Sequence, residues 1–320
     1  MTADDPSADD RSAQARAALR PVAATETTVA VNGVDLVCMV DETAGADAPL
    51  ALCLHGFPDT AVTWRYLMPR LAAAGYRVIA PYLRGYAPSA IADDGRYQTA
   101  VLSLDANALH EAFGGDGRAV IIGHDWGAPA TYGAAVTAPE RWSRVVAMAV
   151  PPGPAMAAAL FGNLDQLKRS WYMFLFQHPL ADAIVAGNDL AFIDMIWSDW
   201  SPGYDATADT AAVKAALAGD TNLAAALGYY RATLGDGYRD PGLEEQQVAT
   251  QQLPTQPTLY VHGRGDGCIG AEVAEAAQAM CAHSVNISFV YLDDVGHFAH
   301  LEAPDTVGDL IIEFLTGTPS

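Results

Sequence analysis

Asp125 is the residue of this chain whose setting most clearly suggests chemistry. It stands at the centre of the segment GHDWG at 123–127, after a run of aliphatic residues and before a stretch of small ones. A strand that ends in such a segment and continues as a helix is typical of a nucleophile elbow, a tight turn that holds one side chain above the sheet. The flanking glycines fit because the turn's neighbours pack closely. We therefore predict that Asp125 is a nucleophile beside a helix amino terminus, which favours an anion.

An aspartate at this turn implies a particular reaction. A serine would need a base before it could attack, whereas a carboxylate with a reference pKa of about 3.9 is already ionised. A carboxylate attacks esters and amides poorly, but it can displace a leaving group from saturated carbon and form an alkyl ester that a second step hydrolyses. Ordinary esterase, lipase and protease activities are therefore disfavoured. The alternative is that Asp125 only caps the following helix.

A base and its orienting acid are predicted further along the chain. In proteins with a nucleophile elbow, the catalytic residues follow one another along the chain in the order nucleophile, acid, histidine. His297 follows the last predicted strand and Asp266 follows the strand before it. We expect His297 to activate water and Asp266 to fix its tautomer and stabilise its charged form. Asp293 and Asp294 are rivals for the acid, but Asp266 is preferred because it opens a separate loop after its own strand.

The oxyanion of the ester-hydrolysis step needs two backbone donors. One should be the N–H of Trp126, the residue after the nucleophile, and the other should come from the segment HGFP at 55–58, through Phe57. A cis Phe57–Pro58 bond would suit so sharp a loop. The alternative is an ordinary strand-to-helix turn.

Alternating strands and helices are expected to position these residues. Strand-like runs occupy 27–31, 34–40, 50–54, 76–80, 118–122, 144–150, 257–261 and 285–292, and Asn32-Gly33 indicates a hairpin between the first two. Helical patterns at 60–74, 99–113, 127–138 and 271–280, and near the carboxyl end, lie between or after them. This alternation predicts an α/β fold with a mostly parallel sheet covered by helices on both faces.

The alternation stops between residues 151 and 252, where only helical patterns appear. We therefore predict an all-helical insertion at 151–252 within a core formed by 25–150 and 253–320. Residues 1–24 are acidic and alanine-rich without an apolar segment of the secretory type, so we expect a disordered or weakly helical tail.

Composition narrows the possible partners. The 320 residues carry 38 acidic against 17 basic side chains, a formal net charge of −21, which argues against nucleic-acid binding. Prolines interrupt the longest apolar stretch, so a membrane span is not expected. The four cysteines lack metal-ligand spacing, and free thiols suggest a cytoplasmic protein.

Taken together, these segments resemble the α/β-hydrolase superfamily and, within it, the epoxide hydrolase and haloalkane dehalogenase branch. The resemblance spans roughly residues 25–316 and rests on HGFPD at 55–59, LRGY at 83–86, GHDWG at 123–127, GRGD at 263–266 and GHF at 296–298. It implies that the helical insertion is the family's cap domain. One departure is visible: the family often has Pro-Asp where this chain has Pro81-Tyr82, which bears on loop packing rather than on chemistry.

The resemblance also implies two cap tyrosines that hold the epoxide oxygen. The segment 171–179 looks like the first tyrosine segment and places Tyr172, and 229–231 looks like the second and places Tyr230. A phenol can stabilise or protonate the alkoxide that ring opening creates. For each tyrosine the alternative is a helix-packing role.

The expected function is that of an epoxide hydrolase that forms a vicinal diol through an aspartyl ester. A dehalogenase with the same nucleophile is the first alternative, in which Trp171 could hold the halide, and a non-catalytic ligand-binding protein is a weaker one. No cofactor or metal is implied. The partners expected are a small, mostly apolar epoxide and water, and a homodimer is possible. The predicted substrate-binding residues are Phe57, Trp126, Trp171, Tyr172, Tyr230 and Phe298.

Overall fold

A single sheet of eight strands forms the centre of the protein, seen in a computed structural model that describes residues 8–317. The strands are β1 (Thr25–Val31), β2 (Val34–Asp41), β3 (Leu50–Leu54), β4 (Arg77–Pro81), β5 (Ala119–His124), β6 (Trp142–Met148), β7 (Thr258–Gly263) and β8 (Ile287–Leu292). Their order across the sheet is β1-β2-β4-β3-β5-β6-β7-β8. All eight strands predicted from the sequence are present.

The sheet is parallel from β4 to β8, whereas β2 runs antiparallel to both β1 and β4. The β1–β2 hairpin turns at Asn32 and Gly33, which have φ of 45° and 76°. Two successive residues with positive φ match the right-handed twist of a hairpin, and Asn-Gly tolerates this conformation. The predicted hairpin is therefore confirmed.

Helices cover both faces. They are α1 (Ala8–Leu19), α2 (Leu67–Ala73), α3 (Thr99–Ala112), α4 (Gly127–Thr137), α5 (Ala155–Gly162), α6 (Leu164–Arg169), α7 (Trp171–Leu175), α8 (Ala181–Trp200), α9 (Thr207–Leu217), α10 (Asp220–Leu234), α11 (Glu244–Ala249), α12 (Ala271–Met280), α13 (Ala299–Glu302) and α14 (Pro304–Thr316). Short 3-10 helices occupy Ala61–Arg65 and Pro241–Leu243. Residues 187–190 interrupt α8 with non-helical backbone.

Alternate residues of each central strand face two separate hydrophobic layers. Leu52 and Ile121 belong to the layer with α3 and α4, whereas Cys53 and Ile122 belong to the layer with α2 and α14. Strands buried on both faces are typical of a parallel sheet between helices. The predicted fold class, with its all-helical insertion, is confirmed.

The predicted helix at 60–74 is instead a 3-10 helix followed by α2. Pro69 explains the break because it lacks the N–H that a continuous helix would bond to the carbonyl of residue 65. A proline is tolerated in a first turn, and α2 accordingly begins at Leu67.

The insertion contains α5 to α11, and in the described chain no strand lies between β6 and β7. Its last helix, α11, packs against α3 and α4 of the core. The domain boundaries at 151 and 252 stay predictions.

The amino-terminal segment is helical from Ala8 to Leu19. Of the two conformations expected for residues 1–24, disordered or weakly helical, α1 shows a helix, and residues 1–7 lie outside the described range. Alanine is the strongest helix former, and α1 contains five alanines. The helix packs on α9, with Ala15 and Leu19 against the hydrophobic layer that includes α2.

No helix within residues 8–317 is both long and apolar enough to cross a membrane. The four cysteines are free thiols, of which Cys38, Cys53 and Cys268 are buried.

Candidate active site

Asp125 occupies a sharp turn between β5 and α4. Its φ of 51° lies in the left-handed region, which a non-glycine residue seldom adopts. The turn requires glycine on both sides: a Cβ on Gly123 would lie 2.2 Å from the carbonyl oxygen of Gly127, and one on Gly127 would lie 2.1 Å from that of Leu54. The sequence thus places a strained carboxylate at the carboxyl edge of the sheet, as predicted.

The loop after β3 holds one oxygen of this carboxylate. The N–H of Phe57 donates to Asp125 Oδ1 at 2.8 Å, and the Phe57–Pro58 bond is cis, as the sequence suggested. A Cβ on Gly56 would lie 2.3 Å from Asp125 Oδ1, so only glycine lets the two loops approach this closely. Trp126, the other predicted donor, directly precedes α4. Because Phe57 holds Oδ1, Oδ2 is the oxygen left available for attack.

His297 and Asp266 meet beside Asp125. His297 Nδ1 lies 2.9 Å from Asp266 Oδ2, and His297 Nε2 lies 3.6 Å from Asp125 Oδ2. The backbone N–H groups of Cys268 and Ile269 donate to Asp266 Oδ1 at 2.7 and 2.9 Å, which fixes the acid in its loop after β7. All three side chains of the predicted triad therefore lie together and are buried.

The two rivals for the acid lie elsewhere. The side chain of Asp293 is 84% exposed and pairs with Arg264 at 3.3 Å. Asp294 occupies a turn with φ of 59° after β8. Of the three candidate acids, the one that the structure brings to the imidazole is Asp266.

The charges of Asp125, Asp266 and His297 strongly affect one another's pKa values. Burial alone would raise the pKa of Asp125 and of Asp266, but the charged imidazole of His297 beside both carboxylates outweighs it and holds both pKa values below their ordinary range. Burial opposes the charged imidazole, yet Asp266 and Asp125 together raise the pKa of His297 to about 10. The resting site is thus an imidazolium between two carboxylates.

A cavity of about 350 Å³ opens above Asp125. Asp125, Trp126, Tyr172 and Tyr230 all line it. Its walls also include apolar side chains from α5 and α7, namely Met156, Leu160, Phe161 and Met173. Polar side chains come from α10 and from α11 and the residue after it, namely Thr233, Gln247 and Thr250. A larger cavity, of about 540 Å³ between α1, α8 and α9, contains none of the predicted site residues.

The two tyrosines come from different helices of the insertion. Tyr172 lies on α7 and Tyr230 on α10, and their ring centroids are 5.6 Å apart. The ring of Tyr230 also packs edge-on against that of Trp126 at 5.0 Å. Burial raises the pKa of each phenol well above its ordinary value, and the charge of Asp125 raises it further, so both keep their protons at neutral pH. The phenol groups of Tyr172 and Tyr230 thus line the same cavity as the carboxylate of Asp125.

Three of the predicted substrate-binding residues do not line this cavity. Trp171 is 44% exposed with its ring against Phe192, because neighbouring residues of a helix point about 100° apart and Tyr172 already faces the cavity. Phe298 is buried, and its ring stacks on Trp197 with centroids 3.5 Å apart. The side chain of Phe57 is fully buried, so this residue reaches the site through its N–H. None of the three lines the cavity.

Cys268 is a site residue that the sequence did not reveal. It lines the cavity, and its Sγ lies 3.4 Å from the hydroxyl of Tyr172. The available signal was its position two residues after Asp266, in the loop that carries the acid.

Comparisons with known proteins agree with this geometry. The profile of the alpha/beta hydrolase fold family matches residues 49–304. A protein named epoxide hydrolase from Caballeronia sordidicola is 30% identical over 318 residues, covering 91% of this chain and 93% of its own. Epoxide hydrolase A of Mycobacterium tuberculosis is 29% identical, covering 92% of this chain and 98% of its own.

A solved structure supports the same relationship. The epoxide hydrolase of Bacillus megaterium, solved with an inhibitor, superimposes with a TM-score of 0.74 at 25% identity, covering 91% of this chain and all of its own. The chain belongs to the α/β-hydrolase fold family. The three relatives described above all bear the name epoxide hydrolase.

Proposed function

We propose that this α/β hydrolase is an epoxide hydrolase that opens its substrate by forming a covalent ester with Asp125. One observation carries the proposal: an ionised carboxylate, with one oxygen held by Phe57 and the other free, shares a cavity with two protonated phenols. Attack on saturated carbon and donation to the leaving oxygen are the two needs of epoxide opening, and both groups are present.

In the first step Asp125 Oδ2 bonds to a ring carbon and the carbon–oxygen bond of the strained ring breaks. Tyr172 and Tyr230 donate hydrogen bonds to the oxygen as it becomes an alkoxide. The opened substrate remains attached to Asp125 as a hydroxyalkyl ester once this oxygen has taken up a proton.

Ester formation changes the state of His297. Two of the contributions that raise its pKa come from the Asp125 carboxylate, and both are lost when that group becomes a neutral ester. The pKa of His297 then falls, and its proton balances the one that the alkoxide takes up. A neutral imidazole is left next to the ester, which is the form that a general base requires.

In the second step His297 takes a proton from water, and the hydroxide attacks the ester carbon. The developing negative charge on Oδ1 is stabilised by the N–H of Phe57, with Trp126 as the second proposed donor. The diol leaves, the carboxylate of Asp125 is restored, and His297 is again an imidazolium held by Asp266. These steps use no cofactor or metal ion.

The helical insertion acts in this proposal as a cap, with boundaries at 151–252. It supplies both phenols and most of the apolar wall, which favours a mostly apolar epoxide. The cytoplasmic location and the possible homodimer remain proposals that rest on the sequence.

The dehalogenase alternative loses its best support. Trp171, which would have held the departing halide, lies outside the cavity and is 44% exposed. The ligand-binding alternative leaves the buried His297–Asp266 pair without a purpose.

Single turnover in heavy-oxygen water tests the covalent route. Water attacks the ester carbon, so the label enters the carboxylate of Asp125, and peptide mass spectrometry should find it there and not on Asp266, a buried carboxylate of the same site. Completed turnover without label on Asp125 would reject the mechanism.

A double variant separates the two chemistries. Tyr172→Phe with Tyr230→Phe should reduce epoxide opening by at least about 100-fold, since loss of a single donor to an oxyanion costs about 10²–10³. Tyr238→Phe, at a tyrosine that is 57% exposed, is the matched control. Retained opening, together with halide release from haloalkanes, would favour the dehalogenase.

A further inference from the structure

The cavity contains a thiol that the proposed reaction does not use. Cys268 can offer its sulfur together with one ligand atom each from Asp125 and His297, and these three atoms lie within 4.8 Å of one another. All three side chains are at least nine-tenths buried. A sulfur, an imidazole nitrogen and a carboxylate oxygen form a donor set that Zn²⁺ and similar thiophilic ions accept.

The imidazole nitrogen independently indicates a missing partner. His297 Nε2 is buried and makes no hydrogen bond, and the Asp125 Oδ2 that it faces is 3.6 Å away. Buried polar atoms normally have partners. Because Nδ1 is occupied by Asp266, Nε2 is the nitrogen free to bind a ligand.

The distances suit a metal ion after a small adjustment. Three atoms no more than 4.8 Å apart can all lie within about 2.8 Å of a common point, whereas bonds to zinc are about 2.0–2.3 Å long. Inward shifts of about 0.5–0.8 Å would therefore complete the contacts.

Each of the three groups is also held from behind. Asp266 Oδ2 accepts from His297 Nδ1 at 2.9 Å, Phe57 N–H donates to Asp125 Oδ1 at 2.8 Å, and the hydroxyl of Tyr172 lies 3.4 Å from Cys268 Sγ. Such outer contacts orient metal ligands, and a carboxylate behind a histidine is the most frequent kind. A carboxylate and a thiolate also balance the charge of a divalent ion.

We propose that Asp125, Cys268 and His297 form an inhibitory binding site for a thiophilic divalent cation, represented by Zn²⁺ or Cd²⁺. As the metal–sulfur and metal–nitrogen bonds form, the thiol proton of Cys268 and the Nε2 proton of the His297 imidazolium leave to solvent. The ion then holds Asp125 and His297, the proposed nucleophile and base. The open cavity gives access, and the net charge of −21 concentrates cations near the protein. The result is reversible inhibition in which no residue is consumed.

The test follows Cd²⁺ in two ways on the whole protein. Titration of the wild type should produce the ultraviolet sulfur-to-cadmium absorbance and a parallel loss of epoxide hydrolysis, both reversed by EDTA, whereas Mg²⁺ should do neither. In Cys268→Ser the absorbance should disappear, and the Cd²⁺ concentration that halves each variant's own activity should rise by about 10- to 100-fold or more.

Cys281→Ser, at the half-buried thiol outside the cavity, is the matched control and should behave as the wild type does. Asp125→Asn is followed by absorbance alone and should bind Cd²⁺ more weakly. Equal inhibition of Cys268→Ser and wild type, or an absorbance that persists without Cys268, would overturn the proposal. The absorbance does not depend on the reaction, so this failure and a failure of the covalent mechanism are distinguishable.

Discussion

Replacement of His297 by glutamine should separate the two steps of the proposed reaction. Glutamine is uncharged and cannot take a proton from water, but it can keep a side-chain hydrogen bond towards Asp125. Ring opening needs the carboxylate and the phenols, so it should continue. Ester hydrolysis needs the neutral imidazole, so its rate should fall well below the rate of ring opening. The enzyme is therefore expected to accumulate as the alkyl ester.

The size of the effect follows from the role assigned to the imidazole. General base catalysis contributes about 10²–10⁴ to a rate, which corresponds to about 2.7–5.5 kcal/mol of activation free energy. Loss of His297 also removes the interactions that hold the pKa of Asp125 low while burial still raises it. The assay is best run at about pH 8, because a higher pH favours the ionised carboxylate.

Intact-protein mass spectrometry provides the readout. After incubation with an aryl oxirane, His297→Gln should gain the mass of one substrate, and peptide mapping should place the added mass on the peptide that contains Asp125. The same substitution at the exposed His283 is the matched control and should leave no adduct. Rapid steady turnover of His297→Gln without an adduct would refute the assignment of the base.

Three further predictions test the geometry. Gly56→Ala places a methyl group 2.3 Å from Asp125 Oδ1 and should slow ring opening by about 100-fold or more. Gly187→Ala, which has open space around it, should not slow ring opening, and equal rates for the two variants in burst kinetics would contradict the close approach of Gly56 to Asp125. Asp266→Asn should slow ester hydrolysis by about 10³-fold or more and leave an adduct, whereas Asp293→Asn, at the exposed rival acid, should do neither. Unchanged single-turnover hydrolysis in Asp266→Asn would exclude the orienting role of Asp266. Between roughly pH 5 and 9, ring opening should stay level because the pKa of Asp125 is lowered. Hydrolysis should rise with pH until the imidazole of His297 is neutral in the ester, where its pKa lies below the value of about 10 in the free enzyme, and a hydrolysis rate that falls with pH would contradict the charge switch.

The residues at the carboxyl ends of the strands could be predicted from the sequence because strand and loop patterns are local. Asp125, Asp266 and His297 each follow a recognisable strand, and parallel strands end at one edge of the sheet. Tyr172 and Tyr230 were reached only through the resemblance, since nothing in a helical pattern tells which face of an inserted helix looks into a cavity.

The differences between the predicted substrate-binding residues and the residues that line the cavity have the same origin. Trp171 was assigned to the substrate although it lies next to Tyr172 on a short helix, where adjacent side chains diverge. Phe298 was assigned because it follows His297, but its ring is taken by Trp197, a residue about a hundred positions away. Cys268 was missed because its value comes from contacts with α7, which sequence spacing does not record.

The segment LRGY at 83–86 shows how the core determines the position of the insertion. Arg84 is fully buried, and its guanidinium donates to both oxygens of Asp105 on α3 at 2.7 Å. Such bidentate pairing fixes orientation as well as charge. Gly85 has φ of 85°, and a Cβ there would lie 2.5 Å from that of Ala225 on α10. The ion pair thus holds a loop against which α10 packs at the closest possible distance.

The carbonyl groups of that loop then fix α10. Tyr229 donates its hydroxyl to the carbonyl oxygen of Arg84 at 2.8 Å, and Asn222 donates its amide to that of Gly85 at 2.8 Å. Tyr230 is the next residue of the helix, so its phenol is placed over Asp125 by bonds that Tyr229 and Asn222 make to the core. Because hydrogen bonds to buried carbonyls are costly to leave unmade, the helix has little freedom to rotate. Tyr230 and Asp125, the proposed proton donor and nucleophile, are therefore positioned by the same rigid core, although more than a hundred residues separate them in the chain.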